Sequence, residues 1–466
     1  MEATDVPRRE EPARPPMASG GLDSFFKLTE RGTTAGTEIK AGVTTFMVMV
    51  YIVAVNPLIL SNAGIDIGAA AAATALVAAV MTILMGLVAN YPIAIAAGLG
   101  INGIVAFGLV LGAGLTPAGA MGVIVMEGLV VTVLVLVGLR EAVMNAVPLS
   151  LKRAIAVGIG LFILFIGFTD GGLIRQPLGD GPVPVEFVFP NTTSAWIMLL
   201  GLAITIILFV RKVPAALLIS IVVTSVIAFI AGITAVPEQF SVAPDFSTIG
   251  QFDLGNSFEH LGLLAAVLTI FTIMLADFFD TMGTATAITE QAGLTTPDGQ
   301  VPGIGRVLLV DSVAAVAGGA AGISSNTSYI ESAAGVAEGG RTGLTSVVVG
   351  LLFVVALFLS PLVELVPFVA TAPVLIVVGY LMATLIRDID FRDFEEGLPA
   401  LFGVILMPLT FSITVGIGAA FVSYVLIKVV KGKLDSIHPL MWVVAIAFVV
   451  YFAQAWLNGI INPPPV

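Results

Sequence analysis

The sequence predicts an all-α integral membrane protein with about 14 transmembrane segments in two inverted seven-segment repeats. Its 466 residues are 58% hydrophobic and 11% charged, with a mean hydropathy of +1.08. An ordinary soluble domain has about 25% charged residues, so a soluble protein is excluded. Apolar stretches of span length recur along the chain, and its Lys and Arg residues fall almost entirely on one side of the implied membrane.

The N-terminal stretch 1–36 is polar, contains Arg8, Arg9 and Arg14, and lacks the apolar core of a signal peptide. It predicts a disordered cytoplasmic tail. The chain has no cysteine and two histidines. Disulfides and thiolate metal sites are therefore excluded, and no histidine-based metal site is expected.

A transmembrane helix needs about 20 apolar residues. Candidate segments in the first half are 41–60, 68–89, 93–112, 118–138, 152–169, 194–211 and 213–234. Those in the second half are 260–279, 305–320, 323–337, 343–360, 369–386, 398–414 and 416–431. A further apolar stretch, 438–457, is compatible with a final span, a re-entrant hairpin or an interfacial helix.

The basic residues orient these segments. With the N-terminus inside, every Lys and Arg except Arg175 lies on the predicted cytoplasmic side. The predicted outer loop 235–258 has three acids and no base. This distribution follows the positive-inside rule. Because each half has an odd number of segments, the two halves insert with opposite topology.

Two segments, 93–112 and 323–337, are interrupted by glycine and carry polar residues. The motif AAGLGIN ends at Asn102, and the similar AAGISSN ends at Asn326, which suggests equivalent positions in the two repeats. The second segment carries Ser324, Ser325, Asn326, Thr327, Ser328 and Glu331. Polar groups at membrane depth are tolerated where they line a protein cavity. Paired interrupted segments of this kind predict the binding site of a secondary transporter.

Acidic and hydroxyl side chains recur in ADFFDTMGTAT, where Asp277, Asp280, Thr281 and Thr284 are spaced three or four residues apart. On a helix this spacing forms one polar stripe, which favours a face turned toward a cavity. Alternatively, the helix ends here and the acids are solvated in a cytoplasmic loop.

Two further acids, Glu127 and Asp311, lie alone in apolar segments, in addition to Asn102 and Glu331 of the interrupted segments. Intramembrane acids by default indicate function, and any of these acids could carry a proton. Each side chain could instead cap, pair or bond across helices as a structural element. No Lys or Arg lies near the middle of a predicted span, which argues against an anionic substrate. The residues alone therefore predict a neutral or cationic polar solute.

Several short motifs occur along the chain: FFKL from Phe25, TEIKAG from Thr37, NP at Asn56, DFFDT from Asp277, SYIESAAG from Ser328, GGRTGLT from Gly339, MPLT from Met407 and SY at Ser423. Together they resemble the AzgA-like adenine/guanine/hypoxanthine permeases, a branch of the nucleobase:cation symporter-2 family that is related to xanthine and uracil permeases. The resemblance covers nearly the whole chain after residue 22 and is most specific in the tenth-segment motif.

The resemblance implies a uracil-permease-like fold with a core domain, a gate domain, and third and tenth segments that are part strand and part helix. The implied divisions are a tail 1–36, a first repeat 37–235 (core 37–139, gate 150–235), a second repeat 258–431 (core 258–360, gate 367–431) and a C-terminal apolar segment 432–466.

The resemblance also implies proton-coupled purine uptake by an elevator-type movement, in a homodimer in the cell membrane. No enzymatic activity, metal, cofactor or nucleic-acid partner is expected. The resemblance implies H⁺ as the coupling ion. If the family's site residues are transferred to the matching positions of this chain, Asn102, Asp277 and Glu331 contact the purine and Asp280 supports them. The remaining implied contacts come from Gly100, Ser325, Asn326 and Thr327. The proton-coupling candidates are Asp277, Asp280, Glu331, Glu127 and Asp311.

The third-segment motif departs from the family pattern Pro-Gly-Met-Gly-Leu-Asn-Ala-Tyr, since residues 97–104 read AGLGINGI. This change bears on purine preference rather than on the fold. Two alternatives come from other classes: an anion transporter of sulfate-permease-like fold, and a membrane-embedded aspartyl enzyme. The acidic site without basic residues argues against the first, and the absence of a catalytic motif argues against the second.

Overall fold

The computed structural model describes residues 21–138, 147–177, 185–234, 243–296 and 301–461. Residues 1–20 of the predicted tail and the predicted cytoplasmic Arg140 lie outside these ranges. Within them the chain is mainly helical, with two short antiparallel strand pairs. Nine of the described helices are long and apolar enough to cross a membrane.

Every apolar stretch of the first half corresponds to a helical element. The helices are α1 Gly21–Phe26, α2 Ala35–Met49, α3 Ile52–Ser61, α4 Ile67–Leu84, α5 Leu99–Gly103, α6 Pro117–Leu136, α7 Leu149–Asp170, α8 Thr193–Val210 and α9 Ala216–Ile230. Helices α4 and α5 continue as π-helical turns over Met85–Ala89 and Ile104–Gly112. The strands are β1 Ile95–Ala97, β2 Ile174–Arg175 and β3 Glu186–Phe187.

The second half follows the same pattern. Its helices are α10 Asn256–Leu261, α11 Leu263–Gln291, α12 Ile304–Ala320, α13 Ser332–Ala337, α14 Gly343–Leu359, α15 Phe368–Ala383, α16 Phe394–Thr410, α17 Ile413–Val430 and α18 Pro439–Ile461. The fourth strand is β4 Asn326–Ser328. The C-terminal stretch is therefore one continuous helix rather than a hairpin, and its Phe448 packs against Phe421 of α17.

Polar residues begin several of the long helices. Asp66 accepts a hydrogen bond from the amide of Ala69 (2.8 Å), and Thr116 accepts one from Gly119 (2.9 Å). Each satisfies an amide that has no partner within the helix, which fixes where the apolar segment starts. Pro117 follows Thr116 at the first helical position. Proline is favoured there because an amide at this position has no partner within the helix, so its absence costs nothing.

The helices pack in two groups. One group consists of α2, α3, α4, α6, α11, α12, α13 and α14, with its densest packing between α6 and α12 and between α4 and α14. The other consists of α7, α8, α9, α15, α16 and α17, with its densest packing between α7 and α15. Close backbone approach within the second group depends on glycine, since a side chain at Gly160 or Gly379 would collide with the facing helix.

The N-terminal region is more ordered than the prediction of a disordered tail through residue 36. Helix α1 places Phe26 in a small apolar cluster with Leu28 and Leu344. Arg31 donates hydrogen bonds to the carbonyl groups of Asn90 and Arg341. Residues 21–36 thus bind the first packing group, because an apolar contact and a charged donor both find partners there.

Candidate functional site

The third and tenth segments meet as an antiparallel pair of three-residue strands. In this β1–β4 strand pair, Ile95 lies opposite Ser328 and Ala97 lies opposite Asn326. The pairing continues beyond the strands, where the amide of Gly98 donates to the carbonyl of Ser325 (2.8 Å). Each segment then becomes helical, as α5 and α13. This confirms the expectation that both segments are part strand and part helix.

The strand pair is a place where irregular backbone lies inside the protein. All residues of β1 and β4 are buried. Thr82 of α4 both accepts from the amide of Ile95 and donates to its carbonyl, each at 2.9 Å. Backbone groups that cannot pair within a helix therefore find partners here, as burial in an apolar surrounding requires.

Asp277 lies beside the start of β4. Helix α11 runs without interruption to Gln291, so Asp277 and Asp280 are in its interior and do not lie in a loop. Ser325 donates a hydrogen bond to Oδ2 of Asp277 (3.0 Å). The other oxygen, Oδ1, is buried and has no protein partner. Asp277 therefore presents one acceptor for a ligand.

Asn102 occupies the first turns of the other interrupted segment. Its side chain is fully buried, and neither the amide nitrogen nor the carbonyl oxygen has a hydrogen-bond partner. A buried amide without partners costs free energy, so this group needs a ligand or water. An asparagine amide offers both a donor and an acceptor.

Glu331 lies between the end of β4 and the start of α13. It makes no cap bond to that helix, and its Oε1 accepts a hydrogen bond from the hydroxyl of Tyr51 (2.7 Å). Tyr51 is fully buried where α2 gives way to α3. Tyr329 is similarly buried and donates to the carbonyl of Ala97 (2.5 Å).

Sequence reasoning missed both tyrosines. The sequence does contain a signal that could have identified them. Each tyrosine lies among apolar or small residues, and the hydroxyl of a buried tyrosine needs a hydrogen-bond partner.

Asp311 is bonded on both oxygens. Its Oδ1 accepts from the amide and the hydroxyl of Ser328, each at 2.8 Å, and its Oδ2 accepts from Thr281 at 2.6 Å. Thr281 also shares a hydrogen bond with Thr327 (2.8 Å). Asp311 thus ties α12 to β4 and α11, and Thr327 is engaged in this structural network.

Three other predicted residues lie in different surroundings. Asp280 is half-buried and close enough to Asp311 and Glu331 for their charges to interact. Glu127 of α6 is fully buried, and neither of its oxygens has a hydrogen-bond partner. The side-chain amide of Asn326 is also buried without a partner and lies against Gly318 of α12.

Some residues of the interrupted third segment already have protein neighbours. The α-carbon of Gly100 faces Ile159 of helix α7, and the amides of Gly98 and Asn102 already bond to backbone carbonyls. The suggested equivalence of Asn102 and Asn326 is wrong, since Asn102 lies in α5 and Asn326 in β4. Short motifs rich in alanine and glycine recur by chance, which explains the false match.

A cavity of about 550 Å³ lies between the two packing groups. It includes none of the predicted site residues. It is lined by Ile104, in the π-helical turn that follows Asn102, and by Thr269, which precedes Asp277 on helix α11. Phe411, with φ of 53°, also lines it and makes edge-to-face contacts with Phe107 and Phe162. Among the described residues, no group of three or more His, Cys, Asp or Glu side chains is placed to hold a metal ion.

Solved structures of two transporters share this fold. The transmembrane domain of a cyanobacterial bicarbonate transporter, BicA, has a TM-score of 0.61 and 16% identity, covering 83% of this chain and 97% of its own. The transporter SLC26A9 has a TM-score of 0.62 and 12% identity, covering 85% of this chain and 65% of its own. At such identity the likeness shows the fold alone.

Comparison of sequences is more specific. The model of the Permease family, Xan_ur_permease, matches residues 36–425. The adenine permease AdeP of Escherichia coli is 41% identical over 92% of this chain and 95% of its own length. The guanine/hypoxanthine permease PbuG of Bacillus subtilis is 39% identical over 92% and 99%. A putative permease of Methanocaldococcus jannaschii is 41% identical over 94% and 99%. The chain is therefore a multi-pass membrane transporter that belongs to the Permease family.

Proposed function

We propose that this chain imports purine nucleobases across the cell membrane by proton symport. The observation that carries the proposal is the set of buried polar atoms without protein partners, the Asn102 amide and Oδ1 of Asp277, next to the β1–β4 strand pair. Relatives named as adenine and guanine/hypoxanthine permeases support the substrate class.

The chemistry of these groups suits a purine. A purine edge presents N–H donors and ring-nitrogen acceptors side by side, and an asparagine amide can pair with both. Carboxylates accept N–H bonds, which is the role proposed for Asp277 and Glu331. Asp280 would add negative charge nearby, and Ser325 would hold Asp277 in place.

An anionic substrate suits the site less well. The described basic groups Lys40 and Lys428 pair with Glu338 and Glu395, which are not site residues. A carboxylate-rich site without a paired base would repel sulfate or bicarbonate. Anion uptake in the absence of purine uptake would favour this second candidate.

Transport would occur by movement of the first packing group, as the core, against the second, as the gate. The β1–β4 strand pair belongs to the core, while the cavity at Phe411 lies between the groups, which supports this division. The coupling ion is proposed to be H⁺, with no other cofactor. A homodimer with a cytoplasmic N-terminus completes the proposal, and the distribution of basic residues supports the orientation.

The experiment is uptake of labelled hypoxanthine, guanine, adenine and uracil into cells that lack their own nucleobase permeases, with and without a protonophore. We expect saturable purine uptake that the protonophore abolishes and that Asp277→Asn and Glu331→Gln both lose. Uptake that survives both substitutions would place the purine elsewhere. Absence of uptake of any base, with normal membrane expression, would refute the proposed substrate class.

A further inference from the structure

Glu127 is a buried acid that lies outside the proposed purine contacts. It is in the interior of α6, fully buried, and its two carboxylate oxygens have no hydrogen-bond partner among the described residues. Asp311 is a contrasting acid on the neighbouring helix, because both its oxygens accept hydrogen bonds. A buried carboxylate with donors is stabilised as an anion, whereas one without donors is far cheaper to bury when protonated.

Ser325 connects Glu127 to the purine site. Its hydroxyl donates to Oδ2 of Asp277 (3.0 Å) and also lies beside Glu127. Since a hydroxyl can donate one hydrogen bond and accept two, Ser325 can accept a hydrogen bond from protonated Glu127 while it donates to Asp277. Protonation of Glu127 would therefore connect the two carboxyl groups through the Ser325 hydroxyl.

Among the described residues, the elements packed around α6 bring acids and no base near this group. The titratable residues whose charges act on Glu127 are Asp311 of α12 and Asp277 of α11. Helix α10 contacts α6 at its first turn, where Asn256 lies beside Gly119. The π-helical turn 104–112 has no titratable side chain. No described base faces Glu127, so a proton is the simplest way to neutralise it.

A second cavity, distinct from the cavity at Phe411, lies beside Met121 of the same helix α6. It has a volume of about 320 Å³ and is lined by Asp66, Met121 and Gly322. Met121 accepts a hydrogen bond from the amide of Ser324 (3.3 Å), the residue before Ser325. The Ser324 hydroxyl is buried without a partner, so it is available to water or to a proton carrier.

We infer that Glu127 is the proton-loading site of the transporter and that Ser325 links it to Asp277. In this step Glu127 O–H transfers its proton to Ser325 Oγ as the Ser325 proton passes to Oδ2 of Asp277. Glu127 becomes the anion, Asp277 becomes neutral and the serine is unchanged. This inference rests on the proposed function, since it assumes that purine and proton move together.

The test uses the full-length protein in proteoliposomes with three readouts: purine exchange without a gradient, purine accumulation driven by a pH gradient, and purine-dependent proton entry reported by an internal pH dye. Glu127→Gln imitates the protonated form. We expect it to retain exchange and to lose both accumulation and proton entry. Ser325→Ala removes the link and also frees Asp277, so it is expected to lose proton entry and to bind purine more weakly.

Asp311→Asn is the matched control, because it neutralises an equally buried acid that the structure assigns to holding β4. It is expected to impair exchange itself. Wild-type proton entry in Glu127→Gln would overturn the inference, as would loss of exchange in Glu127→Gln, which would place Glu127 in the purine site. Absence of purine exchange by the wild type would instead refute the proposed function.

Discussion

At the scale of single residues, the candidate site combines groups that are already bonded with groups that are not. Asp311 and Thr327 are fully engaged within the protein, whereas Asn102 and one oxygen of Asp277 are buried without partners. The bonded groups fix the geometry of the site, and the groups without partners are available to a ligand. This distinction cannot be read from residue types, since Asp277 and Asp311 look alike in the sequence.

Tyr51 is expected to position the Glu331 carboxylate. Tyr51→Phe removes the hydroxyl that donates to Oε1 and leaves the ring in place. A hydrogen bond to a charged group contributes about 1.5–3 kcal/mol, so the KM for purine should rise about tenfold or more. The measurement is initial-rate uptake over a range of purine concentrations. Tyr380→Phe is the control, because Tyr380 is 59% exposed; equal KM values in both variants would contradict the prediction.

Asp311 is expected to contribute to the stability of the fold rather than to contact the substrate, because both its oxygens are bonded within the protein. Asp311→Ala leaves three donors on Ser328 and Thr281 without their acceptor. We expect the free energy of unfolding to fall by about 2–5 kcal/mol, because each buried unsatisfied donor is costly. Thermal unfolding in detergent measures this loss. Asp435→Ala, at an exposed position, should leave the melting temperature unchanged.

At the scale of elements, a glycine sets how closely α12 approaches β4. A Cβ at Gly318 would collide with the carbonyl of Ser324 and the side chain of Asn326. Gly318→Ala is therefore expected to displace the strand and to abolish purine uptake at normal expression. Gly283→Ala in α11 is the control, because a Cβ there meets nothing within 4 Å. Uptake by Gly318→Ala at the control level would show that the strand position is not critical.

Helices α16 and α17 are joined at one end by a cluster of charges. Lys428, Lys431 and Lys433 all donate to Glu395 at 2.6–2.8 Å and hold the pKa of that carboxyl well below its usual range. A carboxyl with a lowered pKa in the folded state stabilises that state above its unfolded pKa, and the stabilisation is lost as the pH falls through the folded pKa.

Glu395→Gln should therefore lower the melting temperature by a similar amount at pH 8 and pH 6. The difference from wild type should shrink only when the pH falls below the range where an unfolded glutamate titrates. Thermal unfolding across this pH series is the measurement, with Glu396→Gln as the control on the same helix turn. A difference that grows toward acid pH would contradict the lowered pKa.

At the scale of the whole molecule, the sequence predicted the order of elements better than their contacts. Hydropathy placed the spans because each needs a long apolar run, and α4, α6 and α7 begin within a few residues of the predicted positions. The β1–β4 strand pair has no such signal, since strands of three residues have no periodicity. Its two halves are also far apart in the chain, so the burial of Asn102 and the partner of Glu331 could be found only in three dimensions.

The proposed movement of core against gate predicts that joining the two groups stops transport. The chain contains no cysteine, so introduced pairs react without background. Phe107 lies in the π-helical turn 104–112, which packs on α6 of the first group, and its ring is 5.7 Å from that of Phe411, between α16 and α17 of the second group. The rings of Phe46 and Phe353 lie 5.2 Å apart within the first group. A short bifunctional thiol reagent should block purine uptake in the Phe107→Cys, Phe411→Cys protein and leave the Phe46→Cys, Phe353→Cys protein active. Equal inhibition of both would contradict the movement.

The β1–β4 strand pair also constrains how the chain is assembled during synthesis. Ile95 and Ser328 pair across more than two hundred residues of intervening chain, so the first strand has no backbone partner until the second half has been made. Exposed to lipid, its amide and carbonyl groups would each cost several kcal/mol. The first half must therefore wait, with β1 shielded from lipid by protein or by the insertion machinery, until the second half arrives. Ligand binding is consequently a property acquired at the end of biosynthesis, and neither half is expected to bind a substrate alone.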